Sequence, residues 1–133
     1  MSRESSANEW LHKAESDRDT AKYLLAGRKY GDCSFYCQQA VEKLLKAMIV
    51  LQINQRPPYT HDLLTLAKKI TSLELDEAII NALGKLDGYY AGSRYPLDTV
   101  DPAAFVESLA SEAIQAMEEV FAWFLARITF GNT

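Results

Sequence analysis

Between Cys33 and Leu51 the apolar residues recur at alternating steps of four and three, which is the spacing of one face of an α-helix. The members of this stripe are Cys33, Cys37, Ala40, Leu44, Ala47 and Leu51. Small residues lie at one end of it, where a neighbouring helix can approach closely. Further apolar residues beside the stripe predict that the helix is buried on more than one side. It would then be either the centre of a bundle or covered by a partner subunit.

Similar periodicity elsewhere predicts one all-α domain over residues 1–133, built from four long helices and one short helix. The long helices are expected over about 6–26, 32–53, 76–90 and 101–128, and the short one over about 60–70. Ser6, Thr60 and Asp101 are the expected N-caps of the first, third and last helices, because their side-chain oxygens can accept from free backbone N–H groups. Pro102 then suits the first helical position.

Composition agrees with a helical fold and excludes several functions. Six glycines and four prolines among 133 residues are too few for the many turns of a multi-stranded β fold. A net charge of −4 gives no overall attraction to nucleic acid or to an anionic membrane, so such a contact needs a local basic patch. No apolar run approaches the ~20 residues of a membrane span, and the first residues do not resemble a signal peptide. The expected compartment is the cytoplasm.

The loop before the short helix carries the first candidate site. Pro57 and Pro58 interrupt helical geometry there. His61 is expected at the first helical position, where free N–H groups favour an anionic ligand, and Arg56 lies five residues before it. An arginine and a histidine held near each other can bind a phosphate and exchange a proton with it, so both are candidate catalytic residues. Alternatively, Asp62 stabilises the helix start and His61 only caps or packs.

The loop after the fourth helix is the second candidate site. It concentrates aromatic rings and one guanidinium on Tyr89, Tyr90, Arg94 and Tyr95. Such side chains can stack on a base and bind a nucleotide. The alternative is that the tyrosines anchor the loop to the core and that Arg94 pairs with an acidic neighbour such as Asp98.

Other reactive residues favour structural roles. Cys33 and Cys37 are expected to be buried thiols on one helix face. Glu9 and His12 form a Glu-x-x-His pair, but the sequence lacks the second such pair that a di-metal bundle needs, so neither a metal nor another cofactor is predicted. The charged run Asp17–Asp19 is typical of a solvated face.

Four polar residues interrupt the second helix: Gln38, Gln39, Glu42 and Lys43. Polar residues on an otherwise apolar helix are typical of an interface or a solvated edge. Their position predicts that the far side of this helix meets another subunit.

Segments spread over nearly the whole chain resemble the HEPN domain. The most distinctive is the run Gln38-Gln39-Ala40-Val41-Glu42-Lys43-Leu44-Leu45-Lys46-Ala47. The others are Trp10-Leu11 with Ala14 and Asp17, Tyr30 with Phe35, Pro58-x-Thr60-His61-Asp62-Leu63-x-x-Leu66, and Tyr89-Tyr90 with Arg94-Tyr95-Pro96. The resemblance implies an up-and-down helical bundle that usually forms a homodimer. Prokaryotic members are often encoded beside a minimal nucleotidyltransferase, as two-component toxin–antitoxin systems.

Active HEPN proteins resemble metal-independent ribonucleases whose arginine and histidine, four to six residues apart, meet across the dimer. Arg56 and His61 have this spacing, but they precede the third helix, whereas the family's motif lies later. At the later place this chain has Arg94 with no histidine after it. Either Arg56 and His61 cleave RNA, or the nuclease motif has decayed. The preferred interpretation is the second, a dimeric subunit that binds a nucleotide or a partner, with a dimer face on the second and last helices. A purely structural bundle is the third alternative.

Overall fold

Residues 2–89 and 102–128 are described in the computed structural model, with side chains from residue 107 onward in the second range. The helices are α1 (Arg3–Ala26), α2 (Tyr30–Met48), α3 (Leu63–Lys69), α4 (Glu77–Asp87) and α5 (Pro102–Leu125). A π-helical turn, Ile49–Ile53, continues α2 directly. Neither described range contains a strand, so the predicted all-α bundle is confirmed. The prediction of one domain over residues 1–133 reaches beyond these ranges and stays a prediction.

The central element is α2, which packs against α1, α3, α4 and α5 of the same chain. Twelve of its nineteen residues are buried. The apolar stripe that the sequence predicts is therefore covered by the chain itself. The stripe itself is removed from water within one chain, so a dimer face on α2 would have to use half-buried side chains such as Phe35 and Tyr36. The placement of a dimer face on the second and last helices stays a prediction.

Buried alanines determine how closely α1 packs against the core. Its buried residues are Ala7, Ala14 and Ala21, at intervals of seven. Short side chains at this spacing let the α1 backbone lie close to the small residues of α2. The helix starts earlier than predicted, at Arg3. Ser2 is its N-cap instead of Ser6, since the Ser2 side chain accepts from the Ser5 N–H at 3.1 Å.

Ion pairs from the charged run of α1 correct the expectation of a solvated face. Asp17 pairs with Lys43 of α2. The Arg18 guanidinium donates to both carboxylate oxygens of Glu118 on α5, at 2.7 and 2.6 Å, and holds the pKa of Glu118 below its usual range. Side chains on this run therefore link α1 to two neighbouring helices. Only Asp19 of the three is exposed.

Two other helix starts bear on the sequence predictions. The N-cap of α3 is Asp62 and not Thr60, because the Asp62 carboxylate accepts from the Leu64 N–H at 3.2 Å. Pro102 is the first residue of α5, as predicted, while Asp101 lies outside the described residues. Across the ranges 2–89 and 102–128, no helix combines the length and the apolar character that crossing a membrane requires.

Candidate functional site

A polar stripe, consisting of Gln38, Glu42 and Lys46, runs along the buried face of α2 at intervals of four residues. Each of the three is less than a tenth exposed. Buried polar groups are costly unless they are hydrogen-bonded, so their partners determine what the stripe does.

The Glu42 carboxylate contacts both Lys46 of the stripe and His61 of the loop before α3. Its Oε1 lies 2.9 Å from His61 Nδ1, and its Oε2 accepts from Lys46 Nζ at 3.0 Å. A carboxylate only accepts hydrogen bonds, so Nδ1 carries the ring proton whenever Glu42 is ionised, and the tautomer is set. Gln38 Nε2 donates to the His61 main-chain oxygen at 2.8 Å. The stripe therefore holds His61 by both its ring and its backbone.

These contacts correct the prediction that Gln38 and Glu42 face another subunit. They bind the loop of their own chain, because the residues before α3 fold back over α2. The His61 side chain is 55% exposed, so Glu42 orients the ring on one side while the rest of it remains in contact with solvent.

The start of α3 differs from the prediction that His61 is its first residue. His61 precedes the cap, Asp62, and so lies outside the helix. The Asp87 carboxylate from α4 accepts from the Leu63 N–H at 2.7 Å and from the Leu64 N–H at 3.3 Å. The expectation of an anionic ligand at this helix start is wrong, because a side chain of the same protein already occupies the place.

The Asp87 carboxyl makes stability depend on pH. Burial raises its pKa to about 6, and the hydrogen bond with Asp62 adds to the rise. An acid whose pKa is higher in the folded protein than its ordinary 3.8 binds its proton more tightly when folded. The stability that this proton contributes is complete below pH 3.8 and is lost as the pH rises through about 6.

We expect Asp87→Asn to remove this fall in stability, because asparagine can still accept one backbone N–H but does not ionise. Urea unfolding of both proteins at several pH values between about 4 and 7 measures the difference. Asp62→Asn should reduce the fall in stability but not remove it, because Asp62 adds to the raised pKa of Asp87 while burial is the main cause. Parallel stability curves for the wild type and Asp87→Asn would contradict the assignment.

A surface hollow of about 420 Å³ lies where the start of α1, the end of α2 and the loop before α3 meet. We call it the cationic hollow, because its lining within the described residues includes Arg3, Lys46 and Arg56 and no acidic residue. Trp10 and Tyr59 line it as well. Arg56 therefore lies in the hollow, whereas His61 is not part of the lining. The connection between them is the chain of contacts from Lys46 through Glu42 to His61.

The second predicted site is only partly within the described residues. Tyr89 is 7% exposed and belongs to the core, and burial raises its pKa to about 12. Its position agrees with the anchoring role that the sequence left open. Tyr90, Arg94 and Tyr95 lie outside the described residues, so their ligand-binding role stays a prediction.

Side chains suited to metals or to redox chemistry are spread over the described part of the chain. The prediction that Cys33 and Cys37 are buried is confirmed, and contact with Cys33 together with burial raises the pKa of the Cys37 thiol. His12 is exposed on α1. Within residues 2–89 and 102–128, no three His, Cys, Asp or Glu side chains come close enough together to hold a metal ion.

The sequence alone did not indicate the roles of five residues described above: Arg3, Glu42, Lys46, Tyr59 and Asp87. A signal for two of them was present, because Gln38, Glu42 and Lys46 recur every four residues on a helix that is otherwise apolar. The other three carry no such local signal. Arg3, for example, lines the same hollow as Arg56 only because α1 packs against the end of α2.

Comparison with known proteins gives a consistent result. The model of the HEPN domain family matches residues 7–128. The protein TT1696 from Thermus thermophilus superimposes with a TM-score of 0.78 at 26% identity, over 92% of this chain and 98% of that one. ST0689, described as an archaeal HEPN homologue, superimposes with a TM-score of 0.75 at 26% identity, over 97% of this chain and 100% of that one. No curated protein sequence matches.

Proposed function

This chain belongs to the HEPN domain family, and from that premise we propose that it is a homodimeric subunit that binds a nucleotide and works with a nucleotidyltransferase. The pair would form a two-component system of the toxin–antitoxin type in the cytoplasm. HEPN domains commonly dimerise. The observation that supports nucleotide binding is the cationic hollow.

The hollow is unusual for a chain with this charge. The protein carries 18 acidic and 14 basic residues, yet among the described residues three basic side chains and no acidic one line this surface. Phosphate groups bind where several cations converge, and Arg is well suited to them because its guanidinium can donate two parallel hydrogen bonds. A local patch of this kind is what an acidic protein needs to bind a nucleotide.

Two measurements test this proposal. Thermal unfolding with and without AMP, ATP or GTP should show a rise in Tm, because a ligand that binds only the folded state stabilises it, by ~2.7 kcal/mol at a hundred times Kd. Size-exclusion chromatography with light scattering should give a dimer at micromolar concentration. A monomer whose Tm responds to none of the nucleotides would contradict the proposal. Co-purification with a co-expressed neighbouring nucleotidyltransferase tests the partner.

A second candidate function, a metal-independent ribonuclease, is favoured by the contact between Glu42 and His61. A histidine oriented by a carboxylate can transfer the proton of the 2′-hydroxyl or of the leaving group. Arg56, five residues earlier, could neutralise the phosphorane charge.

RNA cleavage in EDTA tests this alternative. If the chain is a nuclease, wild type should cleave, and His61→Ala should lose activity by about 10²–10⁴-fold, the usual contribution of a general acid or base. His12→Ala is the matched control, because His12 is the other histidine of the chain and is exposed on α1, away from the polar stripe. Equal rates for His61→Ala and wild type, or no cleavage by either, would exclude the ribonuclease and leave the binding function.

A further inference from the structure

The backbone around the cationic hollow departs from regular helical geometry at consecutive positions. The π-helical turn Ile49–Ile53 is followed by Asn54, whose φ of 59° lies in the left-handed region, and then by Pro57 and Pro58. Single π-turns are rare and are frequently found at functional sites. Here the turn also places the Leu51 carbonyl to accept from Arg3 Nη1 at 3.4 Å, which holds Arg3 beside the end of α2.

The three cations of the hollow differ in how far they are neutralised. Lys46 is buried and pairs with Glu42. Arg3 donates to a neutral carbonyl, and Arg56 is exposed. Two arginines thus line the same hollow, and within residues 2–89 and 107–128 neither has a carboxylate partner, which suits a phosphate that accepts from both.

The aromatic residues of the hollow also differ. The ammonium groups of Lys13 and Lys46 lie 5.7 and 5.5 Å from the centre of the Trp10 ring, so Trp10 already makes cation–π contacts. Tyr59 is 97% exposed and follows two prolines, which restrict its backbone. An exposed ring on a restricted loop is suited to stacking, because little conformational freedom is lost when a base packs against it.

These observations identify a class of ligand and its position, an inference that rests on the proposed nucleotide-binding function. We propose that the cationic hollow binds a nucleoside 5′-phosphate, with the phosphate at Arg3 and Arg56 and the base stacked on Tyr59. The volume of about 420 Å³ lies within the range of ~300–1,000 Å³ that is usual for small-molecule sites. A free nucleotide and the 5′-phosphorylated end of an RNA strand share this chemistry.

Fluorescence anisotropy with a labelled, 5′-phosphorylated single-stranded RNA tests the site, with AMP and the 5′-hydroxyl form of the same RNA as competitors. We expect Arg56→Ala and Tyr59→Ala each to weaken binding by about tenfold, the effect of one charge-assisted contact or one stacked base. Arg56→Lys should recover part of the loss, since it keeps the charge without the planar group. Tyr23→Ala is the matched control, because Tyr23 is 79% exposed but does not line the hollow.

The outcomes distinguish a free nucleotide from an RNA 5′ end as the ligand. They also distinguish failure of the proposed site from failure of the nucleotide-binding function. Full competition by AMP identifies a free nucleotide, and failure of both AMP and the 5′-hydroxyl RNA to compete identifies a 5′-phosphorylated RNA end; either supports the site. Competition by the 5′-hydroxyl RNA as strong as that of the probe itself would overturn it, because the phosphate would then not be recognised. If RNA or AMP binds wild type but Arg56→Ala and Tyr59→Ala bind equally well, the site is overturned and the nucleotide-binding function stands. If the wild type binds neither probe nor competitor, both are overturned. Circular dichroism confirms that the surface variants are folded.

Discussion

Replacing Glu42 with alanine should destabilise the protein by about 3–5 kcal/mol, because it leaves the buried Lys46 ammonium without a counter-charge. The side chains of Lys46 and Glu42 are only 10% and 6% exposed, so water compensates little for the loss. The same substitution removes the oxygen that binds His61 Nδ1. We therefore expect faster amide exchange in the loop before α3 as well as a lower free energy of unfolding. Urea denaturation and hydrogen exchange measure the two effects.

The control is the double variant Glu42→Leu with Lys46→Met. Replacing both members of a buried ion pair by apolar residues of similar size is often neutral or stabilising, so its stability should return to near that of the wild type. Glu42→Gln should lie between the two, since its amide oxygen still accepts a hydrogen bond but carries no charge. A Glu42→Ala protein within about 1 kcal/mol of wild type would contradict the role of the ion pair, and unchanged amide exchange before α3 would show that the stripe does not hold the loop.

Phe121→Ala should cost about 3–5 kcal/mol, the usual cost of truncating a fully buried phenylalanine. Phe121 lies on α5 with no exposed surface. The Arg18 guanidinium lies 5.1 Å from its ring centre and bonds to Glu118, so the ring also supports the ion pair that joins α1 to α5. Thermal and urea unfolding should both show the loss.

Two substitutions on the same region of the protein serve as controls. Phe121→Leu keeps most of the volume and should cost less than about 1.5 kcal/mol, as shape-preserving apolar changes usually do. Leu125→Ala lies on the same helix, but Leu125 is 38% exposed, so its effect should be well below that of Phe121→Ala. Equal losses for Phe121→Ala and Leu125→Ala would contradict the central role of this ring.

The helices could be predicted from the sequence because helical periodicity is local. The stripe from Cys33 to Leu51 identified α2, and the Asp101-Pro102 pair correctly located the first residue of α5. Helix ends were less predictable where two caps compete. Ser2 and Ser6 could each cap α1, and four residues separate them, so the local signal did not discriminate.

Partners across the chain could not be predicted in the same way. Arg56 and His61 could be identified from the sequence as polar residues beside a proline turn. That Arg56 lines the hollow while His61 contacts the polar stripe depends on how the loop folds over α2. The anion position at the start of α3 was inferred from the helix alone, whereas a carboxylate from α4, more than twenty residues later, occupies it. No local pattern at Asp87 indicates this contact.

The sequence by itself determined that this protein is a helical bundle, that α2 is buried on several sides, and that its two cysteines are part of the core. These properties follow from the spacing of apolar residues along each helix, which depends only on 3.6 residues per turn. Only the tertiary structure decided that Glu42 links Lys46 to His61, that Asp87 caps α3, and that Arg3 joins Arg56 in one hollow. The Glu42–Lys46 pair lies within α2 and follows from helical spacing, but the other residues come together from different elements. Their separation is set by helix packing rather than by the order of the chain.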